Sequence, residues 1–85
     1  IDLSEKSYEF LYSLYGEDTD QNITKNFNLT EVGGDNLHSS YAGAYKWASI
    51  VAQGLKDLGY GDIINTQFSY SFTDTLGNNI TARVE

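Results

Sequence analysis

The chain has 85 residues, twelve acids against five bases for a net charge of −7, and no cysteine, methionine or proline. This length fits one domain. The missing cysteine removes disulfides, thiolate metal sites and a thiol nucleophile, and the charge disfavours nucleic acid and anionic membrane surfaces, which are bound through lysine and arginine.

The hydrophobic and aromatic content fits a folded globule rather than an acidic tail. No stretch approaches the roughly 20 apolar residues of a spanning helix, and no signal-peptide pattern is present. A chain opening at Ile1 without methionine reads as a trimmed protein or a domain excised from a longer one. Asn, Ser, Thr and Tyr outweigh Lys, a balance that suggests a secreted or cell-surface protein, with a cytoplasmic location as the alternative.

Leu3 to Tyr15 is predicted to form a helix. Asp2 can cap it with Glu5 three residues on, Leu3, Phe10, Leu11, Leu14 and Tyr15 share an arc, and Gly16 can stop it. Tyr8, Phe10, Tyr12 and Leu14 also alternate, so a strand is the competing reading. A polar acidic loop, Glu17 to Asn22, is expected next. Ile23 to Glu31 then alternates, with Ile23, Phe27 and Leu29 on one face, and reads as a half-buried or edge strand guarded by Lys25. The Gly33-Gly34-Asp35-Asn36 cluster ends it, and Asp35 or Asn36 can cap a helix beginning at Leu37.

Leu37 to Leu58 is the clearest helix. Its stripe of Leu37, Tyr41, Ala44, Tyr45, Ala48, Val51, Ala52, Leu55 and Leu58 keeps helical spacing until Gly59. Gly43, Trp47, Ile50 and Gly54 form a narrower second group. Two helical glycines cost about 1 kcal/mol each, which implies a close approach there, expected from the first helix. His38, Lys46, Ser49, Gln53 and Asp57 are left as the polar face.

The last third reads as a hairpin. A loop of Thr75, Leu76 and Gly77 pairs Phe72 with Ile80, Tyr70 with Ala82 and Phe68 with Val84, placing the apolar sets on one side. Gly77 supplies the left-handed residue such a loop requires. The expected fold is therefore α+β in the order α-β-α-β-β. The long helix lies along a small, mainly antiparallel sheet, with Val51 and Leu55 toward Phe68, Tyr70 and Phe72, and the strand from Ile23 extends that sheet.

Asp18, Asp20 and Asn22 have the D-x-D-x-N spacing that opens a calcium loop. Ile23 stands where that loop turns on glycine, and Leu29 where it needs a bidentate glutamate, so a solvated acidic loop is the better reading. His38 has Asp35, Ser39 and Ser40 nearby, but neighbours on one turn do not converge as a triad must. No pair of carboxylates stands in apolar surroundings. No catalytic residue, cofactor or metal is therefore assigned, and the chain is not expected to be an enzyme. Asn22, Asn28 and Asn79 each begin an N-glycosylation sequon.

Six acids fall in the first twenty residues (Asp2, Glu5, Glu9, Glu17, Asp18 and Asp20) against Lys6 alone. Trp47 suits the core, whereas Tyr8, Tyr12 and Tyr60 are candidates for exposure. The expected function is a non-enzymatic interaction module presenting Glu9, Tyr12, Glu17, Asp18, Asp20 and Tyr60 to a protein with a basic patch. The alternatives are a carbohydrate-binding module using exposed tyrosines and a small acidic inhibitor that mimics nucleic acid. The oligomeric state is not set by the sequence.

Overall fold

The computed structural model describes residues 1–28 and 39–85. Its fold is α+β, helices first and an antiparallel hairpin last. Helix α1 spans Leu3–Tyr15, with the Asp2 carboxylate accepting the Glu5 backbone N–H at its start. Gly16, at φ 57°, turns the chain and donates its N–H to the Tyr12 carbonyl. A short 3-10 turn, Gly16–Asp18, leads into helix α2, Thr19–Phe27.

This helix overturns both the acidic loop and the strand expected from Ile23. Residues 17–22 close a 3-10 turn and begin α2, and residues 23–27 continue it. Ile23 and Phe27 are four apart, which serves a helix as well as alternation serves a strand. Thr19, buried against the turn, donates its hydroxyl to the Gly16 carbonyl and starts the helix locally. The expected residues Leu29 to Glu31 lie outside the described residues, as do Gly33, Gly34, Asp35, Asn36, Leu37 and His38. Asn28 and Ser39 form an isolated antiparallel bridge that sets the two described ends side by side.

Helix α3 spans Tyr41–Leu55 and is capped by the Ser40 hydroxyl, which accepts the Gly43 N–H. This start replaces the expected one at Leu37. The regular α-helix stops at Leu55, continues as a π turn, Lys56–Tyr60, and a 3-10 turn, Gly61–Ile63, with Gly59 at φ 98°. The hairpin comes next as β1, Ser69–Thr73, and β2, Asn79–Arg83. Phe72 faces Ile80 and Tyr70 faces Ala82, as the alternation requires, and Gly77 takes φ 85° in the turn. Regular pairing ends at Ser69 and Arg83, one residue short of Phe68 and Val84. The sheet has two strands among the described residues, so no strand from Ile23 extends it.

The core joins Leu11, Tyr15, Phe27 and Ile80, with Phe10, Leu14, Ile23, Trp47 and Phe72 packed around them. The ring of Phe27, fully buried, stacks on Trp47 at 5.2 Å and meets Phe10, Tyr15 and Phe72 edge-on. A close approach does occur at Gly43, but it comes from α2: a β-carbon there would overlap the Phe27 carbonyl. At Gly54 the neighbour is the Ile1 side chain. With Ile1 beside Gly54 and Phe10 beside Trp47, α1 runs antiparallel to α3.

The seat of α3 is the largest correction. It packs on β2 through the face read as polar: Ser49 is buried, the Lys46 ammonium donates to the Thr81 carbonyl at 3.0 Å, and Gln53 accepts the Glu85 N–H at 2.6 Å. Tyr41, Ala44 and Ala48 are exposed instead, Val51 and Leu55 are half-buried, and it is Tyr45 whose ring meets Phe68 and Tyr70. Polar groups tolerate that burial because each finds a partner. Lys46 sits 4.4 Å over the Phe10 ring, and burial moves its ammonium below the usual lysine value, while Glu85 opposes that shift.

The hairpin turn is tied to the helices by Asp74. One carboxylate oxygen accepts the Leu76 and Asn78 backbone N–H groups; the other accepts the Asn78 amide and, at 2.5 Å, the Tyr15 hydroxyl. Asn26 accepts the Thr75 N–H alongside. Burial alone would raise the Asp74 carboxyl, but the bonds from Tyr15, Asn78 and Leu76 outweigh it and hold the group below its ordinary 3.8. Burial, then the bond and charge of Asp74, push the Tyr15 phenol well above its ordinary 10.0.

Two measurements check this framework. Gly43→Ala is expected to destabilise the chain by at least about 2 kcal/mol in urea unfolding, since the obstacle is backbone; an unchanged midpoint would refute the contact. Tyr15→Phe and Asp74→Asn should couple by about 1–3 kcal/mol in a double-mutant cycle. Asp74, depressed when folded, stabilises the chain above 3.8 and loses that contribution as pH falls toward its folded value. Tyr15, raised when folded, contributes fully below 10.0 and loses its share as pH climbs beyond that toward the folded value. Asp74→Asn should flatten the acid limb of the stability profile; a wild-type limb in the variant would assign that limb to other carboxylates.

Candidate functional site

An α-helix advances 100° per residue, so Glu5, Tyr8, Glu9 and Tyr12 fall within about 100° of arc on α1. The core side of the same helix is Phe10, Leu11, Leu14 and Tyr15, so this strip points away from α3 and the hairpin. Tyr8 and Tyr12 are 55% and 53% exposed, with rings 6.0 Å apart and only 19° from parallel. Among the described residues neither hydroxyl is bonded to the fold, and Glu5 and Glu9 make no ion pair. A shallow groove of about 540 Å³ runs beside the strip, lined by Asp2, Glu5, Tyr8, Glu9, Leu11 and Ile23.

Glu17, Asp18 and Asp20 are exposed where α1 turns into α2, continuing the negative surface past the end of the strip. Of the six surface residues expected from the sequence, Glu9 and Tyr12 thus share the strip and Glu17, Asp18 and Asp20 share the adjoining corner. Tyr60, although 56% exposed, follows α3 at the end where Ile1 meets Gly54, away from the Glu17–Asp20 corner. Glu5 and Tyr8 complete the strip. The signal for them was the i, i+3, i+4, i+7 spacing of 5, 8, 9 and 12, masked by the more conspicuous apolar arc.

The D-x-D-x-N residues do not gather. Asp18 and Asp20 face solvent, while Asn22 is buried, donates its amide to the Asp18 carbonyl and accepts from Asn26. Helical winding turns residues two apart by about 200°. Among the described residues no group of three potential ligands is close enough to hold a metal ion. Ser40 caps α3 and Ser39 lies in the bridge to Asn28; His38, with Asp35, is outside the described residues. Of the three sequons, Asn79 is exposed, whereas Asn22 and Asn28 are buried.

A second exposed face lies on α3. Tyr41 is 84% exposed, Ala44 and Ala48 are also open, and Tyr45 contacts Phe68 and Tyr70 of the hairpin segment at 5.3 and 4.6 Å. Among the described residues no helix is long and apolar enough to cross a membrane. The third apolar feature is a cleft of about 470 Å³ between α1 and α3, where Lys6, Lys46 and Asp57 meet Ile1, Phe10 and Ile50.

Millimolar Ca²⁺ is expected to shift the amide resonances of Asp18, Asp20 and Asn22 no more than matched Mg²⁺ does. A saturable, Ca²⁺-selective shift would mean that the corner closes around the ion. The chain matches no protein-family model, no curated protein and no solved structure, and its function has to be read from its own surfaces.

Proposed function

We propose that the chain is a non-enzymatic interaction module whose α1 strip captures a basic segment of a protein partner. The observation that carries this reading is the open Tyr8–Tyr12 pair with Glu5 and Glu9 on the same arc. A lysine or arginine stem lies well against tyrosine faces, its cation gains from the ring quadrupoles, and two carboxylates stand within the same helical turns to accept its hydrogen bonds. Glu17, Asp18 and Asp20 extend the negative field and draw a cationic chain in along the corner. A secreted or cell-surface setting accords with the lysine-poor, Asn-, Ser-, Thr- and Tyr-rich composition.

Stacked, exposed tyrosines also suit sugar rings, the competing reading. Salt separates the two. Binding of an oligoarginine peptide, followed by calorimetry, should weaken at least about tenfold between 0.1 and 1 M salt, where the Debye length shrinks from about 10 to about 3 Å. Reversing charge with Glu5→Lys and Glu9→Lys together should abolish it, and Tyr8→Ala with Tyr12→Ala should weaken it about tenfold. No binding, or binding indifferent to salt and to Glu5 and Glu9, would refute the basic-partner reading. Salt-independent retention on a glycan array that is lost with the tyrosines would favour sugar recognition.

A further inference from the structure

Among the described residues much of the outward side of α3 is left open, although Tyr45 at its edge meets Phe68 and Tyr70 and Val51, Ala52 and Leu55 are half-buried. Its inward side is Gly43, Lys46, Trp47, Ser49, Ile50 and Gln53; its outward side is Tyr41, Ala44, Tyr45, Ala48, Val51, Ala52 and Leu55, without a charge or an amide. Isolated apolar residues on a surface need no explanation, but a contiguous patch along a whole helix marks a surface that is covered. We propose that this face is an interface between two copies of the chain, their α3 helices antiparallel and related by a two-fold axis at Ala48.

Three observations select a second copy as the occupant. The face is self-complementary about Ala48. An antiparallel pair centred there sets Tyr41 against Leu55, Ala44 against Ala52, Tyr45 against Val51 and Ala48 against its own mate. The closed symmetric contact therefore has Ala48 on the axis, Tyr45–Val51 and Ala44–Ala52 flanking it, and Tyr41–Leu55 at the ends. The charges allow it: with a net charge of −7, two copies can approach only through a surface free of carboxylates. The acidic strip of α1 points away from α3, whereas a basic partner finds nothing ionic here to hold. The area is sufficient. Tyr41 is 84% exposed and Ile63 75%, and Phe68 leans on Tyr45 at the rim. Aromatics of this size bring the buried area to roughly 600 Å² per copy, against about 800 Å² per partner in standard interfaces. That is enough for a reversible dimer and less than an obligate one buries.

The cysteine-free chain gives a direct test. Ala48→Cys should form a disulfide-linked dimer under mild oxidation, because only a residue on the axis meets its own copy. Tyr41→Cys should cross-link far more slowly alone, and quickly when mixed with Leu55→Cys. Sedimentation velocity should show the wild-type mass rising with concentration across the micromolar range. High salt should strengthen the dimer by screening the −7 charges, opposite in sign to its effect on a basic partner. Ala48→Glu, at a solvent-exposed position, should weaken association at least tenfold while leaving the circular dichroism unchanged. A single-chain mass up to about millimolar concentration, a dimer untouched by Ala48→Glu, or Ala48→Cys cross-linking no faster than Ser13→Cys on the outer side of α1 would each overturn the proposal.

Discussion

Phe27 touches every layer of the molecule and has no exposed surface. Its ring is stacked by Trp47 from α3 and met edge-on by Phe10 and Tyr15 from α1 and by Phe72 from β1. Its carbonyl accepts the Ser40 N–H at 2.9 Å and lies where Gly43 has no β-carbon. One residue thus fixes side-chain packing and backbone approach together. Aromatic pairs in these geometries contribute about 0.5–1.5 kcal/mol each beyond the area they bury, and here four converge on one ring. Once α2 ends at Phe27, the orientations of α1 and α3 are set, and with them which side of each helix meets water.

The hairpin depends on that arrangement rather than contributing it. Two strands alone are marginal in water, and these two are held at both ends by polar bonds to the helices. At the turn, Asp74 uses both oxygens on Tyr15, Asn78 and Leu76. At the open end, Gln53 and Lys56 bond the backbone of Glu85. Lys46 reaches the Thr81 carbonyl between them. A buried carboxylate with both oxygens bonded is stable where an unpaired one would unfold the turn.

Some of this was legible in the residues and some was not. The hairpin could be read because strand alternation has period two and only some turn lengths keep Phe72 and Ile80 on the same side, with Gly77 at the position needing positive φ. Helix α1 could be read from Asp2 and Gly16. Helix α2 could not, since Ile23 and Phe27 satisfy both periods over so short a stretch, and what decides between them is burial of Phe27 against partners distant in sequence. The glycine at 43 announced a close approach without saying which element made it. At the candidate site, the acidic bias of the first twenty residues was visible, whereas the i, i+4 pairing of Tyr8 with Tyr12 was masked by the apolar arc of the same helix.

Helix α3 explains the deepest mismatch between pattern and structure. An apolar stripe predicts the buried side only if burial is the sole way a side is chosen. Here the opposite side carries Lys46, Ser49 and Gln53, each able to bond a strand backbone or a neighbouring turn, and among the described residues no buried side-chain nitrogen or oxygen is left without a partner. Satisfied polar groups cost little to bury, while Gly43 and Trp47 on that same side admit Phe27 and need its ring. The wider stripe loses the contest for the interior, not because it is less apolar, but because Tyr41 and Tyr45 are too large to lie where the Phe27 backbone crosses α3. What the fold cannot enclose it must present, so Tyr41, Ala44 and Ala48 of that face become surface. The acidic strip of α1 and the uncharged face of α3 are then two consequences of one packing choice, separated by the same core and free to meet partners of different chemistry.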